Sequence, residues 1–295
     1  MRRQVDVIVI GGGIAGMSAA ARIARHARTV VLERESALGY HSSGRSATFY
    51  HFGIGEDAVR GMTAASSDFF ASPPPEYGDT SLWASKPALF IADEATVPQL
   101  EALHTEMDRF TSTVFRASER DMLDLVPVLK TGAGGIVAGL IDTGGRKLDA
   151  DALLQANARA FRHAGGTIVF DATVTTISRA DGGWNCDAGG EIFFAKTIVN
   201  AAGAWADEIA LLAGVKPLGL QPLRRTIIGF APPPGWTYRP GPSPRPSRMM
   251  ASTCCPTPAA CSPRRWTQHR LYPATSSRRN MKWRSPPGGS RRQPA

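Results

Sequence analysis

The sequence predicts an α/β fold with a parallel sheet at its centre, and three observations carry that prediction. An apolar, β-branched run at residues 5–10, "VDVIVI", reads as a strand buried on both faces. Gly11, Gly13 and Gly16 follow at the GxGxxG spacing and open an alanine-rich helix over roughly residues 14–27. A second apolar run, Thr29–Leu32, then ends in Glu33. Strand, glycine turn, helix, strand and terminal acid in this order are the first unit of a Rossmann-like FAD/NAD(P)-binding domain.

Each residue of the turn answers a physical demand. Gly11 permits the tight turn, Gly13 lets backbone approach a pyrophosphate, and Gly16 lets the helix pack against the strand. The N–H groups and dipole of the helix N-terminus face the phosphates. Glu33 can accept hydrogen bonds from both ribose hydroxyls and repels a 2′-phosphate. The turn itself leaves NAD and FAD open. The next segment, "RESALGYHSSGRSATFYHFGIG" (residues 34–55), has no helical period, where a simple NAD fold would begin another helix. Such an irregular arm suits the larger FAD, with Ser42, Ser43, Ser46 and Thr48 hydroxyls lining the flavin end. Arg45 offers a planar fork of donors to the pyrophosphate or a flavin oxygen. His41 and His51 also lie near this end and read first as structural histidines.

Further on, residues 57–71 read as a helix, "PALFIA" (87–92) as a strand, and 94–110 as a helix. Asp149 or Asp151 caps a helix that "HAGG" ends. Strands at 167–169 and 172–179 lead into a hairpin through "RADGG". "TIVNAAGAW" is a buried strand entering a small-residue turn and another helix, where backbone can approach a ligand.

These pieces together resemble the FAD-dependent D-amino-acid oxidase/dehydrogenase family, in its glycine-oxidase-like group. The features are "VIGGGIAG", "LERE…GYHSSGRSA", "LDADALL" and "IVNAAGAWAD". "VRGMTAASSDFF", "VPVL" and "PLGLQPLRRTIIGFAPPPG" look most like the bacterial D-arginine dehydrogenases. The resemblance covers roughly residues 4–235. It implies FAD contacts at Gly11, Gly13, Ala15 and Gly16, with Glu33 and Arg34 at the ribose. It further implies that Ser42, Ser43, Gly44, Arg45, Ser46, Ala47 and Thr48 run along pyrophosphate and flavin. Val174 is implied near the adenine, and Ala202, Gly203 and Trp205 after the later strand. The implied reaction is hydride transfer from a D-amino acid or related amine to flavin N5, with an unidentified electron acceptor. No catalytic residue is assigned and no metal is needed. The implied domains are an FAD-binding domain at 1–72 and 146–217 and a partial α+β substrate domain at 73–145 and 218–235. Ala88, Phe49 and Ile54 stand where that branch has polar groups, which points to a neutral or apolar substrate in place of D-arginine, because an uncompensated guanidinium in an apolar pocket is costly.

The formal charge of +9 does not signal a nucleic-acid partner, because it is confined to one end. Residues 1–230 carry 22 Lys+Arg against 25 Asp+Glu, whereas residues 231–295 carry 12 Lys+Arg and no acid. Only Cys186 of the four cysteines lies in the body, which fits a reducing, cytoplasmic compartment. No apolar run approaches the ~20 residues of a membrane span. Cys254, Cys255, Cys261 and His269 lack the paired spacing of a zinc site. Past about Trp236 periodicity and acids vanish together, so residues 236–295 read as a disordered, basic Pro/Arg-rich tail. One shifted frame through Asn280–Trp283 yields an acidic, alanine-rich pattern, so the sequence points to a frameshift near 236–248 and a truncated, impaired enzyme. The alternatives are a nonenzymatic remnant, a flavin-binding module with a basic tail, and an NAD-dependent dehydrogenase.

Overall fold

A computed structural model of the protein describes residues 2–78 and 81–223. The expectations for residues 224–295, the basic tail included, lie outside the described residues.

Four parallel strands form the sheet that the sequence predicts. They are β2 (Val7–Ile10), β3 (Thr29–Leu32), β10 (Thr167–Val169) and β14 (Thr197–Asn200), in the order β10-β3-β2-β14. Their apolar runs are continuous because successive side chains leave on opposite faces and both faces are covered. On one face, Val9 and Val31 meet Met17, Ala20 and Ala21 of α1 (Ile14–Ile23) and Leu154 and Phe161 of α6 (Ala150–His163). On the other, Ile8, Ile10, Val30 and Leu32 pack against Ile177, Cys186 and Phe193. Those three residues belong to a second sheet, ordered β1-β13-β12-β11, from β1 (Arg2–Gln4), β11 (Val174–Ala180), β12 (Gly183–Ala188) and β13 (Glu191–Ala195). The result is three layers with a hydrophobic core on each side of the parallel sheet.

Two smaller antiparallel sheets make up the remainder. One joins β4 (Phe49–Tyr50), β9 (Arg146–Leu148) and β5 (Trp83–Ser85), with β9 in the middle. The other joins β6 (Ala88–Ala92), β8 (Ala138–Asp142) and β7 (Val114–Ala117). Both share a core of Tyr50, Phe52, Phe90, Leu140 and three residues of α4 (Val97–Met107): Leu100, Leu103 and Met107.

Several boundaries differ from expectation, each for a local reason. Helix α1 ends at Ile23, because the N–H of His26 turns back to the Ile23 carbonyl in a tighter bond. The expected helix at 57–71 is two, α2 (Asp57–Ala65) and α3 (Ser67–Ala71). Ser66 separates them, its hydroxyl donating to the Met62 carbonyl at 2.7 Å, a bond that bends helices. The arm expected to be irregular contains a 3₁₀ turn at Ser42–Arg45. Asp149, not Asp151, caps α6, accepting from the Ala152 N–H at 2.9 Å. A short α5 (Glu119–Leu125) with a Ser118–Asp121 capping box went unpredicted, and α7 (Ala206–Leu212) follows the later strand as expected.

Candidate functional site

The carboxyl ends of β2, β3 and β14 converge, and the chain leaves each through a turn, the geometry in which open α/β sheets bind ligands. After β2, Gly11 has φ +108°, and a Cβ there would lie 2.4 Å from the carbonyl oxygen of Ala201, in the turn after β14. A Cβ on Gly16 would lie 1.9 Å from the Gly11 carbonyl oxygen. Both glycines are therefore demanded by backbone contact. Gly13 differs: its added Cβ would meet only Ser43 Oγ, at 3.2 Å, leaving backbone open to a ligand.

The N-terminus of α1 is a set of donors, some used and some free. The N–H of Gly12 donates to Glu33 Oε2 at 2.6 Å, and the N–H of Ile14 to Ser43 Oγ at 2.9 Å. No acceptor among the described residues takes the N–H of Gly13, Ala15 or Gly16. Glu33 is buried just past β3, and its Oε1 accepts from the N–H of Glu35 at 2.9 Å. Each of its oxygens keeps a lone pair for a ligand hydroxyl.

Arg34, His41 and Trp205 form a stack beside this turn that separate sequence segments gave no sign of. The Arg34 guanidinium lies 3.8 Å from the centre of the Trp205 ring, and His41 lies 4.6 Å from the same ring. Glu35 joins them: Oε1 accepts from Arg34 Nε at 3.0 Å and lies 2.8 Å from His41 Nε2. The His41 contact, with Arg34 beside it, holds the Glu35 carboxyl below its ordinary range. Ala202 and Gly203 sit in the same turn as Trp205, with the Ala202 N–H held by Asn200 Oδ1 at 3.3 Å. Val174 opens β11, two residues after Ala172, whose N–H donates to the Glu33 carbonyl at 2.9 Å.

The arm divides into two parts. Ser43 underlies the glycine turn, and Gly44 donates to the Gly39 carbonyl at 2.8 Å, where a side chain would collide with that carbonyl. Ser42 is the first residue of the 3₁₀ turn, while Arg45 points to the Tyr40 ring, 5.1 Å away. Ser46 Oγ accepts from the Thr48 N–H at 3.2 Å. Thr48 has φ +50°, unusual for a β-branched residue, and its hydroxyl donates to the Leu148 carbonyl at 3.0 Å. Lys147 Nζ donates to the Ala47 carbonyl and, at 2.6 Å, to Thr48 Oγ1. Thr48 is thus tied to β9, a partner residing in a three-residue strand with no signature of its own.

Of the three residues on which the neutral-substrate expectation rests, Phe49 and Ala88 share one hydrophobic core. Phe49 is half-buried on β4, Ala88 is buried inside β6, and Ile54 is exposed. Directly across from Ala88 stands Asp142, wholly buried. Its Oδ1 accepts from Thr113 Oγ1 at 2.6 Å and the Gly144 N–H at 2.9 Å, and its Oδ2 has no hydrogen-bond partner among the described residues. His51, buried between the Phe49 and Phe90 rings, accepts from the Gly53 N–H through Nδ1 at 3.1 Å. Burial lowers its pKa, against the opposing pull of Asp142. Among the described residues no cluster of His, Cys, Asp or Glu could hold a metal ion, and no helix is long and apolar enough to cross a membrane.

Comparison with known proteins gives consistent neighbours. The model of the family described as FAD dependent oxidoreductase (DAO) matches residues 6–277. Human mitochondrial dimethylglycine dehydrogenase is 26% identical over 225 residues, covering 72% of this chain and 25% of that protein. The mouse protein is 28% identical over 224 residues, covering 72% and 24%. This chain thus spans about a quarter of the length of the curated relatives it matches. Among solved structures, FAD-bound L-α-glycerophosphate oxidase from Mycoplasma pneumoniae superposes with a TM-score of 0.63 at 23% identity, over 72% of this chain and 57% of that one. Glycine oxidase from Geobacillus kaustophilus gives 0.62 at 21%, over 72% and 59%.

Proposed function

The chain belongs to the FAD-dependent oxidoreductase family, and on that premise we propose that it oxidises the carbon–nitrogen bond of a small amine, with D-amino acids as the substrate class. FAD is the cofactor. The observation that carries the reading is the donor set at the start of α1: free N–H groups on Gly13, Ala15 and Gly16, facing a backbone that Gly13 leaves uncovered. Those groups suit a pyrophosphate, which needs hydrogen-bond donors, a favourable dipole and close approach. When bound, FAD supplies the hydride acceptor for the substrate α-carbon, and water then hydrolyses the released imino acid.

The protein's residues bind and orient. Glu33 accepts the ribose hydroxyls and rejects a 2′-phosphate, and Arg34 lies beside it on Trp205. Val174 borders the adenine, Ala202 and Gly203 close the turn, and the Ser42–Thr48 arm, with Gly44 and Ala47 in it, runs toward the flavin. The FAD-binding domain would comprise 1–72 and 146–217, and the substrate domain 73–145 and 218–235. Within the family the sequence motifs favour the D-arginine dehydrogenase branch, with a neutral side chain on the substrate. The composition past residue 236 supports a shifted reading frame and impaired turnover, and the single body cysteine supports the cytoplasm.

Purification followed by anaerobic titration tests the reading. Flavin absorbance bleached by D-leucine or D-phenylalanine, and not by the L-enantiomers, is expected. Equal turnover of D-arginine would remove the neutral-substrate assignment. Bleaching by dimethylglycine alone would move the substrate to a tertiary amine, and nicotinamide binding without flavin would overturn the whole reading. Resequencing the gene that finds no single-base change restoring the family pattern past 236 would remove the frame assignment.

A further inference from the structure

We infer that Lys147 is a carboxylate-binding residue of the substrate site, holding the acid group of an amino-acid substrate on the sheet face that carries Phe49. The inference rests on the reading above that the Ser42–Thr48 arm runs toward the flavin. Lys147 is the middle residue of β9, with Phe49 directly across on β4 and Ala84 across on β5. Cross-strand partners share a face. The opposite face carries Tyr50, which is buried in the core, and Trp83 and Leu148, which pack against it; Phe49 packs against the same core and is half-buried, as is Lys147, and Ala84 is exposed.

The lysine's hydrogen bonds leave one donor over. Thr48 Oγ1 spends its proton on the Leu148 carbonyl, so it can only accept from Lys147 Nζ. A second N–H goes to the Ala47 carbonyl. An ammonium has three donors, and no acceptor among the described residues takes the third. Both bonds also anchor Nζ at the end of the arm, so the free donor has a fixed origin.

One cation and one anion act on Lys147. Burial first, and Lys86 second, lower the pKa of Lys147, with Asp149 opposing. Of its neighbours, Arg146 lies on the other face, its guanidinium donating to the carbonyls of Thr143 and Gly145. On the Phe49 side, the His51 ring lies 5.7 Å from the Phe49 ring. Burial favours the uncharged form of this histidine. Lys147 therefore presents its third donor on the face it shares with the Phe49 ring, which suits a carboxylate attached to an apolar group.

Benzoate, a carboxylate on an apolar ring that cannot be oxidised, is the probe. Its binding to the full purified chain is measured by calorimetry, and FAD content is recorded separately. K147M should weaken benzoate about tenfold or more, the loss expected for one charge-assisted hydrogen bond, and K147R should restore most of it. Unchanged benzoate affinity in a folded K147M overturns the inference, including the case in which only sulfite addition to the flavin weakens and the donor serves the flavin. If K147M does not fold, the wild type decides. Benzoate affinity should fall with rising pH before the ordinary lysine pKa of about 10.4 is reached, and a flat profile through that range overturns the inference. Benzoate binding through Lys147 in a chain whose flavin no D-amino acid bleaches would remove the D-amino-acid reading and leave Lys147 as a carboxylate-binding residue.

Discussion

The N–H of Gly12 donates to Oε2 of Glu33 at 2.6 Å, so the acid at the end of β3 closes the glycine turn that follows β2. The other oxygen of Glu33 holds the N–H of Glu35. One carboxylate thus shapes the turn and, in the proposed function, meets the ribose. The two roles separate by substitution. Glu33→Gln keeps one acceptor and should lower FAD affinity about tenfold, whereas Glu33→Ala orphans two backbone donors and should also cost about 1–3 kcal/mol of stability. Fluorescence titration of FAD and urea unfolding measure the two quantities. Equal FAD affinity in all three proteins would show that the acid is structural only.

Gly16→Ala should fail for a different reason. The new methyl would lie 1.9 Å from the Gly11 carbonyl oxygen, which belongs to backbone that Ala201 confines from the other side. Neither the helix nor the turn can yield without separating α1 from β2. Gly61→Ala is the control, because a Cβ there meets nothing within 4 Å inside α2. Overpacking of this kind costs about 1–3 kcal/mol or more, while the control should gain a few tenths or up to about 1 kcal/mol from helix propensity. Thermal melts of both variants test the contrast.

The reach of the sequence was set by how local each cause is. The glycine turn and β3 were legible because spacing within a few residues dictates them, whereas the cap of α6 was narrowed only to Asp149 or Asp151 and the structure chose Asp149. The strand β1, Arg2–Gln4, was not: three polar residues become a strand only by pairing with Ile192–Phe194 far along the chain. Lys147 was equally hidden, because its role follows from the carbonyl of Ala47 and the hydroxyl of Thr48 in another segment. The Arg34–Trp205 stack shows an intermediate case. Both residues were expected near the cofactor, yet their contact with each other depends on how two turns meet.

His51 should make stability depend on pH. Burial places its pKa below the ordinary value in the folded state. Between the depressed value and the ordinary one of about 6.5, the unfolded chain binds the proton and the folded chain does not. Stability from this group is therefore complete above about pH 6.5 and declines on acidification, by at most about 1.4 kcal/mol per pH unit. His51→Asn keeps an acceptor for the Gly53 N–H and cannot titrate. Urea unfolding at about pH 7.5 and about pH 5.5 should show a smaller loss in the variant than in the wild type. Identical losses would mean that the ring is protonated as readily folded as unfolded.

Cys186 should be chemically silent until the protein opens. It lies in β12 between Ile177 and Phe193 in register, fully buried in the core behind the parallel sheet. Burial, with Asp187 beside it, pushes the thiol up to about 12. At neutral pH the thiolate fraction is then only about one in 10⁵, and the thiolate is the species that alkylates. Iodoacetamide should leave the Cys186 peptide unmodified in native buffer and label it fully in urea, followed site by site by mass spectrometry. The labelling midpoint should coincide with global unfolding, because β12 is a central strand of its sheet and cannot expose Cys186 without separating from β11 or β13. Labelling well below that midpoint would show instead that the antiparallel layer opens while the glycine turn and the parallel sheet remain folded.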